Sequence, residues 1–214
     1  LFGNTNLPDD NIFACYERIA AVILAAGGSS RMGKQINKQL LTFKGVTFIN
    51  RAINLAAKGS FTETIVVLGN DFEEIRNNIN EQKVNILHNS IWANGQSTSV
   101  ITAVNELNKI PHIGAAIFIP VDQPYLDIET IRPIVRCHTQ NIGFAIVPRY
   151  KQKPGAPVIF DRDFFDELLH LKGDKGVRLI LRQVPHKYCD MDNESALLDI
   201  DTFEDYEKLL KQNH

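Results

Sequence analysis

The sequence has few cysteines, little net charge and no long apolar segment, and each shortage excludes a class of protein. Its three cysteines are widely spaced and form no CxxC motif, so we expect neither a disulfide framework nor a zinc site. The formal net charge of −2 over 214 residues carries no basic excess, so we expect no nucleic-acid partner. No apolar run approaches the roughly 20 residues that a membrane helix needs, so we expect no membrane partner.

What is present is an ordinary globular composition, with 44% hydrophobic and 22% charged residues. Residues 1–19 carry Asp9 and Asp10 where an export signal has positive charge, and they lack its apolar core. We therefore interpret residues 1–19 as an N-terminal extension, residues 20–214 as one domain, and the expected location as cytoplasmic.

Strand-like and helix-like segments alternate along the first part of the domain. Three apolar runs have the length and boundaries of strands buried on both faces. They span residues 20–26, 64–68 and 115–119. Residues 47–58 and 128–137 have helical spacing, and a further helix is expected to be capped by Ser97 or Thr98. This alternation predicts an α/β fold, a three-layer α/β/α sandwich with a mostly parallel mixed sheet.

A glycine- and serine-rich segment follows the first predicted strand, where parallel sheets bind ligands. Residues 27–38 combine three glycines and two serines with Arg31, Lys34 and Lys38, a composition that can hold phosphate oxygens. The segment lacks the ending of a Walker A loop and the spacing of GxGxxG. A flexible surface turn is the alternative interpretation.

Three further polar segments carry candidate ligands. Asp122 lies in a proline-flanked turn after a buried strand and suits Mg²⁺, although turn aspartates often only bond local backbone. Residues 94–100 open a predicted helix, whose first N–H groups either contact a ligand or are simply capped. Residues 153–157 and 173–178 combine glycine with charge, which is typical of tight turns and of anion-binding loops.

Together these segments resemble the molybdenum-cofactor nucleotidyltransferases, the cytidylyltransferases and guanylyltransferases that act on molybdopterin. The resemblance covers residues 20–210, and its most specific part is the loop LAAGGSSRMG at 24–33. The other matches are GQSTS at 95–99, DQP at 122–124, GAPV at 155–158, GDKG at 173–176 and DIDT at 199–202. One departure is the four-residue step KQIN between Gly33 and Lys38, which is longer than in this family and looks like the cytidylyltransferases of isoprenoid precursor synthesis.

The resemblance implies a Rossmann-like nucleotidyltransferase fold and a role for each matched residue. Arg31, Lys38 and Asp122 would be catalytic, with Lys34 as the alternative to Lys38 and with Asp122 holding Mg²⁺. Asp199, or alternatively Asp201, would add to the metal site unless it only caps a helix. Nucleotide binding would fall to Leu24, Ala25, Ala26, Gly27, Gly28, Ser29, Ser30, Gly33, Gly95, Gln96, Ser97 and Ser99. The second substrate would face Gly155, Asp174, Lys175 and Gly176.

The implied reaction joins CMP from CTP, rather than GMP from GTP, to the terminal phosphate of molybdopterin and releases pyrophosphate. Such a phosphate is already ionised, so positioning and charge stabilisation suffice and no general base is required. One alternative is a cytidylyltransferase for a sugar phosphate or a methylerythritol-type phosphate. Another is a non-catalytic nucleotide-binding maturation partner of a molybdenum hydroxylase, which would also be the expected protein partner.

Overall fold

All seven residues of β1 (Ile19–Ala25) are buried, because strands pair with both of its edges and apolar clusters cover both of its faces. The computed structural model describes residues 18–29, 32, 37–80, 83–174 and 177–211, with side chains left out at 178 and 179. Within these residues β1 is an interior strand of a mixed sheet. The apolar, β-branched composition of β1 is what a doubly covered central strand requires.

The sheet is mostly parallel. Its other strands are β4 (Glu63–Leu68), β5 (Asn85–His88), β6 (Ala115–Pro120), β7 (Ala145–Tyr150), β8 (Lys153–Pro154), β9 (Val158–Asp161) and β10 (His186–Asp190). Across the sheet the strands lie in the order β10-β7-β9-β6-β1-β4-β5. Strand β9 runs antiparallel between β6 and β7, and β8 pairs antiparallel with β7. A separate antiparallel pair is formed by β2 (Thr42–Phe43) and β3 (Val46–Thr47). The predicted mixed, mostly parallel sheet is confirmed.

Helices cover both faces of the sheet. They are α1 (Phe48–Gly59), α2 (Phe72–Asn77), α3 (Gln96–Leu107), α4 (Ile128–Thr139), α5 (Phe165–Leu169) and α6 (Phe203–Lys211). Helices α1, α4 and α6 bury apolar side chains in one core cluster, and α3 and α5 bury theirs in the other. Two clusters separated by one sheet make the predicted three-layer α/β/α sandwich, which is confirmed.

The expected cap of α3 is wrong. The helix begins at Gln96, and its N-cap is Gly95 at φ +109°, with no hydrogen bond from a capping side chain. Ser97 and Thr98 both lie inside the first turn; the Ser97 N–H donates to the Gly173 carbonyl at 3.1 Å. A segment distant in sequence, at Gly173, therefore takes over part of the role that the sequence pattern assigned to a capping hydroxyl.

The carboxyl ends of β1, β4 and β6 meet at one edge of the sheet, because the three strands are parallel neighbours. The glycine-rich loop, the segment between β5 and α3, and the turn after β6 all leave from this edge. Segments far apart in sequence are thus brought together where α/β sheets bind ligands.

Candidate active site

A cavity of about 460 Å³ opens at the carboxyl edge of the sheet. Its walls come from the ends of β1 and β6, the start of α3 and two segments from the second half of the chain. The lining residues are Leu24, Ala26, Gly27, Gly28, Ser29, Lys38, Gln39, Trp92, Ala93, Gly95, Gln96, Ser99, Pro120, Val121, Asp122, Asp174 and Asp201. A cavity of this size is in the range of small-molecule sites.

Most of the described candidate nucleotide-binding residues line this cavity, and two do not. Ala25 points away because successive strand residues face opposite sides of the sheet, and it packs in the core on the α1 side. Ser97 is buried beside the Gly173 carbonyl. Ser30, Arg31, Gly33, Lys34, Lys175 and Gly176 lie outside the described residues.

Gln39, which the sequence analysis did not select, holds the described part of the glycine-rich loop. Its buried side-chain amide donates to the carbonyls of Ala25 at 2.9 Å and Gly27 at 2.8 Å. Its carbonyl accepts from the Ser29 hydroxyl at 3.2 Å, and that hydroxyl accepts from the Lys38 N–H at 2.9 Å. One polar side chain therefore links the loop to the segment that carries Lys38. A glutamine directly after the candidate lysine was the only sequence signal for this role.

Trp92 forms an aromatic wall of the cavity. Its ring lies so close to Gly28 and Gly69 that a Cβ added to either glycine would approach the tryptophan to within 2.9 Å. Both positions must therefore lack a side chain for the ring to pack against the loop. The tryptophan fixes the distance between the glycine-rich loop and the segment before α3.

The start of α3 packs against the second-substrate candidate segment. A Cβ on Gly95 would lie 2.3 Å from the Gly173 carbonyl carbon, and its φ of +109° also favours glycine. This close contact brings Asp174 into the cavity wall. Gly155, by contrast, is outside the lining; a Cβ there would lie 2.2 Å from the Ala196 carbonyl oxygen, so its glycine serves backbone packing.

Lys38 joins two carboxylates in the cavity. Its Nζ lies 2.8 Å from Asp122 Oδ2 and 3.1 Å from Asp201 Oδ1. Burial disfavours the charged ammonium, but attraction by Asp122 and the hydrogen bonds and charge of both aspartates outweigh it, so the pKa of Lys38 lies above its ordinary value of 10.5. The site is therefore a stable cluster of one ammonium and two carboxylates.

Asp201, rather than Asp199, reaches this cluster. Asp199 Oδ1 instead accepts from Gln123 Nε2 at 2.7 Å, and Asp199 is not part of the cavity lining. The Ile200 N–H donates to the Asp122 carbonyl at 2.9 Å, which ties this segment to the turn after β6. The two aspartates, although only two positions apart, therefore bond different partners.

The donor set fits a hard divalent cation that also binds phosphate. Asp122 and Asp201 supply carboxylate oxygens on the same cavity wall, and Mg²⁺ commonly uses one or two carboxylates together with substrate phosphates and water. No group of three or more His, Cys, Asp or Glu side chains in the described residues could hold a metal ion alone. A metal bound by Asp122 and Asp201 would need further oxygen ligands from substrate phosphates or water.

Among the described residues, none of the helices combines the length and hydrophobicity needed to cross a membrane.

Comparison with known proteins identifies the relatives of this chain. Residues 21–188 match the family model of the MobA-like NTP transferase domain. The chain is 28% identical to nicotine blue oxidoreductase of Paenarthrobacter nicotinovorans, over 97% of this chain and 100% of that protein. It is 29% identical to the molybdenum cofactor cytidylyltransferase of Escherichia coli, over 88% of this chain and 93% of that protein.

A solved structure shares the fold. Rv0371c of Mycobacterium tuberculosis in complex with manganese has a TM-score of 0.74 and 26% identity, and the match covers 91% of this chain and 98% of that one.

Proposed function

Because the chain belongs to the MobA-like NTP transferase family, we propose that it joins CMP from CTP to the terminal phosphate of molybdopterin and releases pyrophosphate. The observation that carries this proposal is the Lys38–Asp122–Asp201 cluster in a cavity bounded by a glycine-rich loop. Lys38 directly, and the two aspartates through a divalent cation, would supply the charge neutralisation that a reaction among several phosphates demands. The E. coli relative named a molybdenum cofactor cytidylyltransferase supports the choice of both substrates.

The bond changes in the proposed reaction are simple. A terminal phosphate oxygen of the acceptor attacks the α-phosphorus, a new P–O bond forms, and the bond from the α-phosphorus to the bridging oxygen breaks as pyrophosphate leaves. The acceptor phosphate is largely ionised near neutral pH, since its second pKa is about 6. No proton has to be removed from the nucleophile, in keeping with a described cavity lining that contains no histidine.

The protein's contribution is position and charge. Lys38 is oriented by two carboxylates and by its backbone bond to Ser29, so its ammonium can bind the phosphates without a search for the right rotamer. The loop carbonyls that Gln39 holds keep the glycine backbone open toward the cavity. Arg31, which lies outside the described residues, is proposed as a second cation on the phosphates.

Asp122 and Asp201 would hold a divalent ion, which supplies Lewis-acid neutralisation of phosphate oxygens when bound. We propose Mg²⁺ for this chain, and the manganese complex of Rv0371c supports a divalent site in a protein of this fold. Asp201 takes the place proposed for Asp199, because it is Asp201 that shares Lys38 with Asp122.

The second candidate function is suggested by the relative that the alignment covers completely, nicotine blue oxidoreductase. A redox role does not require the paired carboxylates on Lys38, whereas phosphoryl chemistry uses them directly. Nucleotidyl transfer is therefore the function that the cavity supports best.

The deciding experiment measures pyrophosphate release by the full chain with CTP, GTP, ATP or UTP, with and without molybdopterin and Mg²⁺. We expect release with CTP only when both molybdopterin and Mg²⁺ are present. Release with a sugar phosphate or methylerythritol phosphate, but not with molybdopterin, would transfer the proposal to the alternative acceptors. Nucleotide binding without release would favour the non-catalytic maturation partner, and turnover of nicotine blue alone would favour the oxidoreductase.

A further inference from the structure

The cavity contains a hydroxyl whose hydrogen-bonding direction is set by a residue behind it. Asn89 follows β5 and is 2% exposed, and Ser99 of α3 is 4% exposed and lines the cavity. The Asn89 side-chain amide donates to the Ser99 Oγ at 2.9 Å and to the Thr98 Oγ1 at 2.8 Å. Both amide hydrogens are thus used on the first turn of α3.

The orientation of the Asn89 amide follows from its other contact. Its Oδ1 accepts from the Ile91 backbone N–H at 3.2 Å, and a backbone N–H can only donate. The NH₂ group must then face the two hydroxyls. The Asn89 backbone N–H donates to the Leu68 carbonyl at 2.7 Å, which extends the β4–β5 pairing and fixes where the side chain starts.

The two hydroxyls differ in where their own hydrogens go. Thr98 Oγ1 donates to the Gly95 carbonyl at 2.8 Å, so its hydrogen is used inside the protein. Ser99 Oγ has no hydrogen-bond acceptor among the residues that the structure describes. A hydroxyl that accepts from Asn89 retains one hydrogen to donate, and Ser99 lies where that hydrogen can meet a ligand.

We infer that Asn89 is a positioning residue that makes Ser99 a hydrogen-bond donor into the cavity, so that the nucleotide site selects a base with an acceptor, a ring carbonyl or an unprotonated ring nitrogen, at that point. This inference rests on the proposed nucleotide site. It adds to that proposal a residue that determines specificity without touching the ligand. A base that presents an N–H at this point leaves two donors facing each other and binds less well.

Asn89→Asp tests the inference because it keeps the shape and reverses the polarity. An ionised aspartate can only accept, so Ser99 must donate to it and turn a lone pair toward the cavity. We expect CTP to bind about 10- to 100-fold more weakly, since one donor on the ligand's acceptor is lost. Binding of Mg²⁺–tripolyphosphate, which has no base, is expected to be unchanged.

Ser99→Ala separates the positioning role from a general effect on folding. If Asn89 acts through the serine, adding Asn89→Asp to Ser99→Ala leaves CTP affinity unchanged from the single Ser99→Ala variant. Thr102→Ala is the matched control, because the Thr102 hydroxyl donates to the Thr98 carbonyl on the same helix and is not part of the cavity lining. Melting temperatures confirm that each variant folds, and calorimetric titration gives the affinities.

Equal weakening of CTP and tripolyphosphate by Asn89→Asp, or additive effects in the double variant, would overturn the inference while leaving the proposed function in place. Wild-type protein that binds tripolyphosphate and no nucleoside triphosphate any more tightly would overturn both, because the cavity would then have no base site.

Discussion

Two aspartate-centred clusters lie at opposite ends of β6 and show how position in the sheet decides what such a cluster does. Asp122 follows the carboxyl end of β6 and bonds Lys38 at 2.8 Å. Asp161 pairs across from Ala115 at the other end and bonds His138 Nε2 at 2.7 Å. The contacts have nearly equal length, but their access to solvent differs.

Burial separates the two clusters. The His138 and Asp161 side chains are 5% and 8% exposed, and the Gly143 N–H also donates to Asp161. In the other cluster Asp122 is 24% and Asp201 45% exposed, within a cavity. The His138–Asp161 cluster is buried between α4 and the end of β9, where it stabilises the packing of the helix on the strand. The Lys38 cluster opens into the cavity, so a ligand there can take the place of one of the hydrogen-bonding partners within the cluster.

Asp122→Ala is expected to cause the largest effect on activity. Loss of the carboxylate that shares Lys38 removes a proposed metal ligand, and we expect pyrophosphate release to fall by about 10³-fold or more. The melting temperature should stay close to wild type, because the side chain is partly exposed. Asp192→Ala, at an exposed aspartate outside the cavity, is the control. Turnover near the wild-type rate at saturating Mg²⁺ would show that the metal assignment is wrong.

Asp161→Ala should give the opposite result at the other end of β6. His138 Nε2 and the Gly143 N–H both lose a buried partner, at a cost of roughly 1–3 kcal/mol each. We expect the melting temperature to fall by several degrees while kcat at low temperature is unchanged. Thermal unfolding and pyrophosphate release on the same sample check this, and a large loss of kcat in the folded variant would contradict the structural role.

Gln39→Met tests a residue between these extremes, buried like His138 but attached to the cavity. The carbonyls of Ala25 and Gly27 lose their donor, so the glycine-rich loop is held less firmly. We expect KM for the nucleotide to rise about 10-fold with a smaller change in kcat. Gln183→Met, at an exposed glutamine, is the matched control. An unchanged KM would mean that the loop keeps its shape without the amide.

The smallest expected effect is that of raising the pH on the stabilisation that Lys38 provides. Its folded pKa lies above the ordinary value of 10.5, so the stabilisation by its ammonium is complete below that value and is lost only as the pH rises through the higher folded pKa. We therefore expect no change in the melting-temperature difference between wild type and Lys38→Met from neutral pH up to about 10. A change in this difference at mildly alkaline pH would show that the carboxylates do not hold the proton on Lys38.

The sequence predicted the elements around the site because their signals are local. The apolar run of β1 ends at a glycine pair, and the run of β6 ends in a proline-flanked turn that carries Asp122. Continuous burial and helical spacing are properties of a dozen neighbouring residues. The predicted N-cap of α3 was wrong because one of the first N–H groups of the helix donates to Gly173, in a segment distant in sequence, rather than to a neighbouring side chain.

The residues around the cluster depended on contacts that no local pattern contains. Asp201 lies 163 positions from the lysine it bonds, and nothing in the sequence around it distinguishes it from Asp199. Gln39 and Asn89 are ordinary polar residues in sequence, and their roles appear only when burial leaves each amide one set of partners.

By itself, the amino-acid sequence determined the alternating α/β architecture, the glycine-rich loop at the end of the first strand and Asp122 after a buried strand. Only the tertiary structure decided that Asp201 shares Lys38, that Ala25 and Ser97 face away from the cavity, and that Asn89 directs Ser99. The physical reason is that strand and helix periods are set by neighbouring residues. The direction and partners of a polar side chain, in contrast, are set by whichever distant segments are packed around it.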